Sequence, residues 1–424
     1  MKIKTKKLSF EKVLNITPPR RKKPKKPSAV LSKLVNIISC KDLKKVCFTY
    51  EFPDRGKIAG KPCLILMNHS SFIDMEIASK IFYPERYNIV ATCDGLVGKY
   101  GIMRSLGCIP TKKFVTDAAL IGDIQYALHK NKTSVLMYPE ASYSFDGCAT
   151  ALPRRLGLFI KKLGVNVVTV KTHGAFLRDP LYNCLQKRNV KVYAEAKVLF
   201  TPETLGKIPP RDIDDILDRE FSFDAFAEQK ADKIPITENF RADGLERILY
   251  KCPACGCEGR TAGKGAVLRC NACGKEYFMD EYGEMHGNDG TTEFGHIPDW
   301  YRWERDCVKQ ELCEGRYGFD IAVKIGIISD YKALYETGEG RLVHNENGFT
   351  LTGCGGKLRY EQKPLASYSL YADYFWYEIG DVICIGDSSR LYYCFPKQPF
   401  PVAKARLAAE ELYKIKSAGL RKND

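Results

Sequence analysis

In the stretch LMNHSSFIDME, His69 follows an apolar run and Asp74 stands five residues beyond it. Five residues turn an ideal helix by about 500°, or about 140° net, so the two side chains cannot meet across one straight helix. They can meet if His69 sits in a loop at a strand end and Asp74 lies in the first turn of the next helix. The local sequence permits this: CLILMN supplies a strand, Asn68 ends it, Ser70 or Ser71 can cap, and IDMEIASKIF supplies the helix. A carboxylate accepting from one imidazole nitrogen fixes the tautomer and raises the basicity of the other, an arrangement that takes a proton from a hydroxyl. The plainer reading is a packed histidine beside an aspartate that serves the helix dipole, and spacing alone does not separate the two.

A second constellation is sulfur-based. KCPACGCEG and RCNACGKEY hold two Cys-x-x-Cys pairs, Cys252 with Cys255 and Cys270 with Cys273, and residues 256 to 269 lie between them. Gly256 and Gly274 follow the pairs and let backbone amides turn toward the thiolates. Four thiolates fill a tetrahedral ion with no open position, so the expectation is one structural zinc in a ribbon. Cys257 competes with Cys255, but its spacing spoils the knuckle.

These residues need scaffolds. From Leu31 to about Lys233, short β-rich runs (CLILMN, NIVATC, SVLMYPE, VNVVTV, VKVYAEAKVLF) alternate with helical stretches. In FVTDAALIGDIQYALHKN the residues Leu120, Ile124, Ala127 and Leu128 fall on one helical face, with Thr116 as N-cap and Asp117 in the first turn. Alternating strand and helix predict an α/β domain, with its chemistry in loops at strand ends. Past Ile297, short β runs with hairpin punctuation, HNENGFTL and YEIGDVICIGDSSRLYYCF, end in a helix over about Val402 to Lys416. The expected organisation is a flexible basic arm over 1–33, an α/β domain over 34–240, a zinc ribbon over 245–282, and a β-rich domain over 290–424 closed by a helix.

Composition bounds the partners. The 424 residues are 45% hydrophobic, and their formal charge of +15 favours an anionic partner: nucleic acid, an anionic lipid surface, or an acidic carrier protein or substrate. The first 33 residues hold twelve Lys and Arg against one Glu, with PPRRKKPKKP at their centre, so proline and like-charge repulsion both argue for mobility. Seventeen cysteines spread through apolar runs, with no signal peptide, predict a reducing cytoplasmic setting rather than secretion. No run reaches the roughly 18 to 20 apolar residues of a spanning helix, so membrane contact is expected to be peripheral, on the inner face.

Three segments taken in order resemble the PlsC-type glycerolipid acyltransferases, the lysophosphatidic acid acyltransferase family. Asn68, His69 and Asp74 meet the family's N-H-x-x-x-x-D block. GCIPTKK, Gly107 to Lys113, is similar to its G-A-I-P-V-D-R block, with Lys113 in the arginine position. YPEASYS, Tyr138 to Ser144, is similar to F-P-E-G-T-R-S and keeps Pro139 and Glu140, and VNVVTVKTHG is a loose fourth counterpart. The resemblance covers roughly residues 60 to 175. It implies that His69 is the base and Asp74 its orienter, that a hydroxyl attacks the thioester of acyl-CoA or an acyl carrier protein, and that the acceptor is a lysophospholipid such as 1-acylglycerol-3-phosphate or a related lipid alcohol. It also implies that residues of the second and third blocks hold the acceptor, with Lys112, Lys113, Glu140 and Ser142 as candidates and Arg154 as a further candidate near them. Two departures weaken phosphate binding: lysine replaces the arginine of the second block, and Tyr143 and Ala141 replace the arginine and glycine of the third. Lys112, Arg154, Arg155 and Lys171 could compensate, although each reads more readily as a solvated surface charge. His173 reads as a structural histidine. The C-terminal region looks like a PH or GRAM module by element order. The rival reading is a zinc-ribbon nucleic-acid-binding protein or a membrane adaptor without catalysis; it leaves the three ordered blocks unexplained, and nucleic acid is not the expected partner.

Overall fold

The computed structural model describes residues 2–115 and 117–421. At the centre of the N-terminal half, strand Cys63–Met67 is buried at every position. Its alternate side chains leave on opposite faces. Ile65 and Met67 pack with Ile77 and Ile81 of helix Asp74–Phe82. Leu64 and Leu66 pack with Ile124 and Leu128 of helix Ala118–His129 and Ile160 of helix Leu156–Leu163. A strand covered on both faces carries its first polar residues only where it ends, at Asn68 and His69.

Among the described residues the sheet runs in the order Thr49–Glu51, Tyr193–Phe200, Asn166–His173, Cys63–Met67, Ser134–Met137, Tyr87–Thr92, Cys108–Thr111. Neighbours are parallel except Asn166–His173 against Tyr193–Phe200. Parallel strands gather their following loops along one edge, where α/β sheets place ligand sites. His69, Glu140 and Lys113 each stand just after one of these strands. Helix Ala118–His129 is capped by the Asp117 carboxylate, which accepts from the amides of Ala119 and Leu120. The expected cap, Thr116, lies outside the described residues, and Asp117 fills the capping position rather than the first turn.

Cys252 and Cys255 precede, Cys270 ends and Cys273 follows strands of an antiparallel sheet made of Thr261–Lys264, Val267–Cys270, Glu276–Met279 and Met285–Gly287, so this unit runs past residue 282. Helix Ile297–Cys313 then leads into an antiparallel sheet in the order Leu358–Gln362, Gly348–Gly353, Leu334–Asn345, Phe319–Ile327, Leu391–Pro396, Gly380–Gly386, Tyr371–Trp376. The HNENGFTL hairpin forms, with Asn345 opposite Gly348. Helix Val402–Arg421 closes the region, longer than expected and with Ala408 and Leu412 buried. The segments share a core: Phe145 and Phe176 cluster with Leu268 and Tyr277 of the cysteine-bearing unit and with Trp300, Tyr374 and Ala408 beyond it.

The basic arm, expected to be flexible, is instead packed. Thr5–Lys7 pairs in parallel with Leu334–Glu336, and Phe10 and Val13 are buried in the shared core. The proline-rich stretch makes no regular structure, yet its carbonyls are captured: Pro24 by Asn131, Lys25 by Asn88, Pro27 by Arg86 and Lys23 by Arg104. Arg21 donates to Asp123 at 2.7 Å and Asp117 at 2.8 Å. Proline removes donors and chain entropy at once, so a strap of acceptors docks at low cost where side-chain donors await it.

Candidate active site

The strand-loop-helix junction brings His69 and Asp74 together. His69 Nδ1 lies 3.0 Å from Asp74 Oδ2, and Asp74 is the first residue of its helix. The same oxygen accepts from the amides of Ser70 at 2.9 Å and Ser71 at 3.1 Å. The expected serine cap is therefore reversed: no side chain caps helix Asp74–Phe82, and the aspartate organises the serines. The Ser71 hydroxyl donates to buried Asp179, which pairs with Arg178. Asn68 pins the turn to the next strand, accepting from the Thr172 amide at 2.8 Å and donating to Ser70 Oγ.

Glu140, fully buried, accepts from the His69 amide at 2.8 Å and the Thr150 amide at 3.0 Å. It braces backbone rather than orienting a cation. Burial pushes its carboxyl up to about 7 against these amide bonds. The His69 ring is stacked between Tyr138, at 4.0 Å between centroids, and Tyr143, at 3.9 Å, and Phe72 extends the stack from Tyr143 at 5.3 Å. Thus the tyrosine in the place of the third block's arginine holds the imidazole plane. Nε2 of His69 makes no hydrogen bond among the described residues.

The cations divide. Lys113 sits over the rings of Tyr371 and Tyr143, 4.3 and 5.9 Å from their centroids, and its charge acts on His69. Lys112 donates to the Ser388 carbonyl. The Ser142 hydroxyl accepts from Arg406 at 3.2 Å. Arg154 is exposed and its charge falls on Asp218. Arg155 is also exposed, and Lys171 donates to the Ser222 carbonyl. These three therefore do not join the His69 cluster, because their segments face other elements. His173 pairs with Glu228 and stacks on Tyr193, in keeping with a structural role.

Sequence reasoning missed Arg406. Its guanidinium, on the closing helix, reaches Ser142 and the Tyr143 carbonyl and is held by Glu410, which also binds Arg305 at 2.8 Å. Burial would raise the Glu410 carboxyl, but Arg305 and Arg406 hold it at about 2. Arg406→Met leaves this buried acid short of a partner and the third block without its donor. Its expected cost is about 3–5 kcal/mol, read as a lower urea midpoint at unchanged m-value; an unchanged midpoint contradicts it.

Burial pushes the Asp74 carboxyl up to about 8 against the Ser71 and Ser70 amides, and its Oδ1 is buried without a hydrogen-bond partner among the described residues. Burial, then the Lys113 charge, holds the His69 imidazolium well below its usual range. At low pH the pair keeps its proton on the carboxyl, Nδ1 accepts it, and Nε2 carries the imidazole hydrogen. Only above the ionisation of the pair does Nε2 offer a lone pair. Activity should therefore rise with pH toward a plateau above about 8, falling roughly tenfold per unit on the acid side. A kcat/KM profile from pH 6 to 9.5 that is flat or rises toward acid is the contrary result.

Residues 47–173 match the family model described as Acyltransferase. The blocks holding His69, Asp74, Lys113 and Glu140 all lie within this matched segment. Among solved structures, the chain is similar to the 1-acyl-sn-glycerophosphate (LPA) acyltransferase PlsC from Thermotoga maritima, at 14% identity over 45% of this chain and 76% of that chain, with a TM-score of 0.38. No curated protein matches.

Outside the matched segment, the sulfurs of Cys252, Cys255, Cys270 and Cys273 lie within 4.8 Å of one another. Cys252 to Cys273 is 3.8 Å and Cys255 to Cys270 is 3.7 Å. Tetrahedral zinc with bonds of about 2.3 Å requires sulfurs about 3.8 Å apart, so the group fits a metal ion. Burial would raise the Cys270 thiol, but the amides of Cys273 and Ala272 bring it down to about 7. Cys257 stays outside the cluster and is exposed.

Proposed function

We propose that the protein moves a fatty acyl group from acyl-CoA or an acyl carrier protein to a hydroxyl of a lysophospholipid such as 1-acylglycerol-3-phosphate. The observation carrying this reading is the 3.0 Å contact between His69 Nδ1 and Asp74 Oδ2, with Nε2 left free of protein hydrogen bonds among the described residues. Nε2 takes the acceptor's hydroxyl proton, the oxygen bonds to the thioester carbonyl carbon, and the C–S bond breaks. The imidazolium returns its proton to the departing thiolate, giving an ester and a free thiol. Lys113 makes no hydrogen bond within the described protein, which suits it to an anionic group of the acceptor. The four thiolates would hold zinc, which supplies a structural clip.

Peripheral attachment to the inner face of an anionic membrane accords with the surface around the site. On helix Ala29–Lys45, Val30, Leu34, Ile37 and Ile38 are exposed at i, i+4, i+7 and i+8, and Lys33, Lys41, Lys44 and Lys45 share the helix. Phe72 and Met75, beside His69, are exposed as well. Among the described residues no helix is long and apolar enough to cross a membrane. A PH-like or GRAM-like role for residues 290–424 rests on element order. The nucleic-acid reading has less support, since Arg21 of the basic arm is spent on Asp117 and Asp123. Radiolabelled acyl-CoA and acyl carrier protein, each offered with mixed lipid acceptors on anionic vesicles, test the reading. Label is expected in the diacyl product, whereas vesicle binding without label from either donor would reject it.

A further inference from the structure

Lys113 lies at the end of the second block, in the matched segment, yet the ring nearest its ammonium comes from the far end of the chain. Tyr371, 2% exposed, begins strand Tyr371–Trp376 of the C-terminal sheet. Its centroid is 4.3 Å from Lys113 Nζ. The ring is fixed at its hydroxyl, which donates to Asp94 of the matched segment at 3.1 Å and accepts from Trp376 Nε1 at 2.9 Å. Asp373, two residues along and so on the same face of the strand, is buried and feels the Lys113 charge. Tyr143 also lies under the ammonium, 5.9 Å away, and stacks on His69 at 3.9 Å, so one aromatic ring borders both the cation and the base.

An ammonium paired with a carboxylate has spent its donors. One held on the face of a ring keeps its charge and its three N–H groups for a ligand. The Lys113 ammonium makes no hydrogen bond among the described residues and pairs with no carboxylate at salt-bridge distance. The nearer ring under the ammonium is therefore supplied by the C-terminal region, and the farther one, Tyr143, by the third block.

We propose that Tyr371 is a positioning residue of the active site, holding the Lys113 ammonium beside His69 for the phosphate of the acceptor, so that the C-terminal domain takes part in acceptor selection. This rests on the acyl-transfer reading above. The selectivity it produces is for acceptors bearing a phosphate monoester over their uncharged monoacylglycerol counterparts.

In the full-length chain, Tyr371→Leu should lower the ratio of kcat/KM for 1-acylglycerol-3-phosphate to that for monoacylglycerol by roughly tenfold, the size of a lost cation–π contact. Tyr371→Phe, which keeps the ring, should restore the ratio to within about threefold. Tyr371→Met serves if the leucine variant does not fold. An unchanged ratio, or an equal loss with both acceptors, overturns the proposal; the equal loss would mean that Lys113 serves the thioester oxygen.

A second readout needs no turnover, so it separates this proposal from failure of the acyl-transfer reading. The His69 imidazole, identified in NMR spectra by its loss in His69→Ala, is faced by Asp74, Tyr138, Tyr143 and Lys113, with Glu140 on its backbone amide. Releasing Lys113 removes a positive charge from this set. Tyr371→Leu should thus raise the His69 titration in the same direction as Lys113→Met, and the double variant should add nothing. A His69 titration moved by Lys113→Met but not by Tyr371→Leu is the refuting outcome.

Discussion

With His69→Ala, acyl transfer is expected to fall by about 10²–10⁴-fold while the protein stays folded. The side chain is 15% exposed and Glu140 braces its backbone rather than its ring, so removing the imidazole leaves the Glu140 and Asp74 amide bonds in place. What disappears is the one group able to take the acceptor's proton at Nε2. Asp74→Asn should cost a similar factor for a different reason: it keeps an acceptor for Nδ1–H and the serine amides but removes the negative charge that steadies the imidazolium during transfer. Thiol release with donor and acceptor together, beside far-UV circular dichroism, checks both. Wild-type turnover in either variant would remove His69 and Asp74 from the chemistry and return them to a structural role.

Loss of the four-thiolate site is expected to cost as much stability as the largest single core substitutions. Cys252 and Cys270 are buried, and the strands beside them carry Leu268, Tyr277, Met279 and Met285 into the core shared with Trp300, Phe145 and Phe176. In zinc-dependent peptides, the binding energy that becomes folding energy is on the order of 10 kcal/mol. Some of it is replaced here by that core, so Cys252→Ser with Cys270→Ser should lower unfolding free energy by several kcal/mol, about 5. Elemental analysis should give one zinc per wild-type chain and none in the variant, and urea unfolding gives the stability. A metal-free variant as stable as wild type would make the cluster incidental. Activity should fall with stability and not before it, because no thiolate touches the His69 cluster.

The His69 turn was legible because it is local. A five-residue offset that fails on a helix admits a strand-loop-helix junction, and that junction formed. The two-sided burial of Cys63–Met67 and the cysteine pairs were legible on the same ground: a continuous apolar run and a knuckle are properties of a few consecutive residues. The cap on the next turn was misread, since whether a serine hydroxyl serves a helix or another acid depends on Asp179, more than a hundred residues on. Arg154 was misplaced similarly, because which side of the sheet a loop charge faces is set by the helices around it.

The sequence by itself determined the chemistry available: a histidine and aspartate able to meet, cations near strand ends, four thiolates in one short unit, and strands apolar enough for burial on both faces. Only the tertiary structure decided what surrounds that chemistry. Tyr143 became a stacking partner of the base, the basic arm became a docked strap, and Arg406 and Tyr371 of the C-terminal region were brought onto the second and third blocks, Arg406 across 264 residues of sequence from Ser142. Local patterns reflect hydrogen bonding and burial along a few turns of chain. Which distant side chain fills a given gap is selected by packing of the whole core, and no short window of sequence contains both partners.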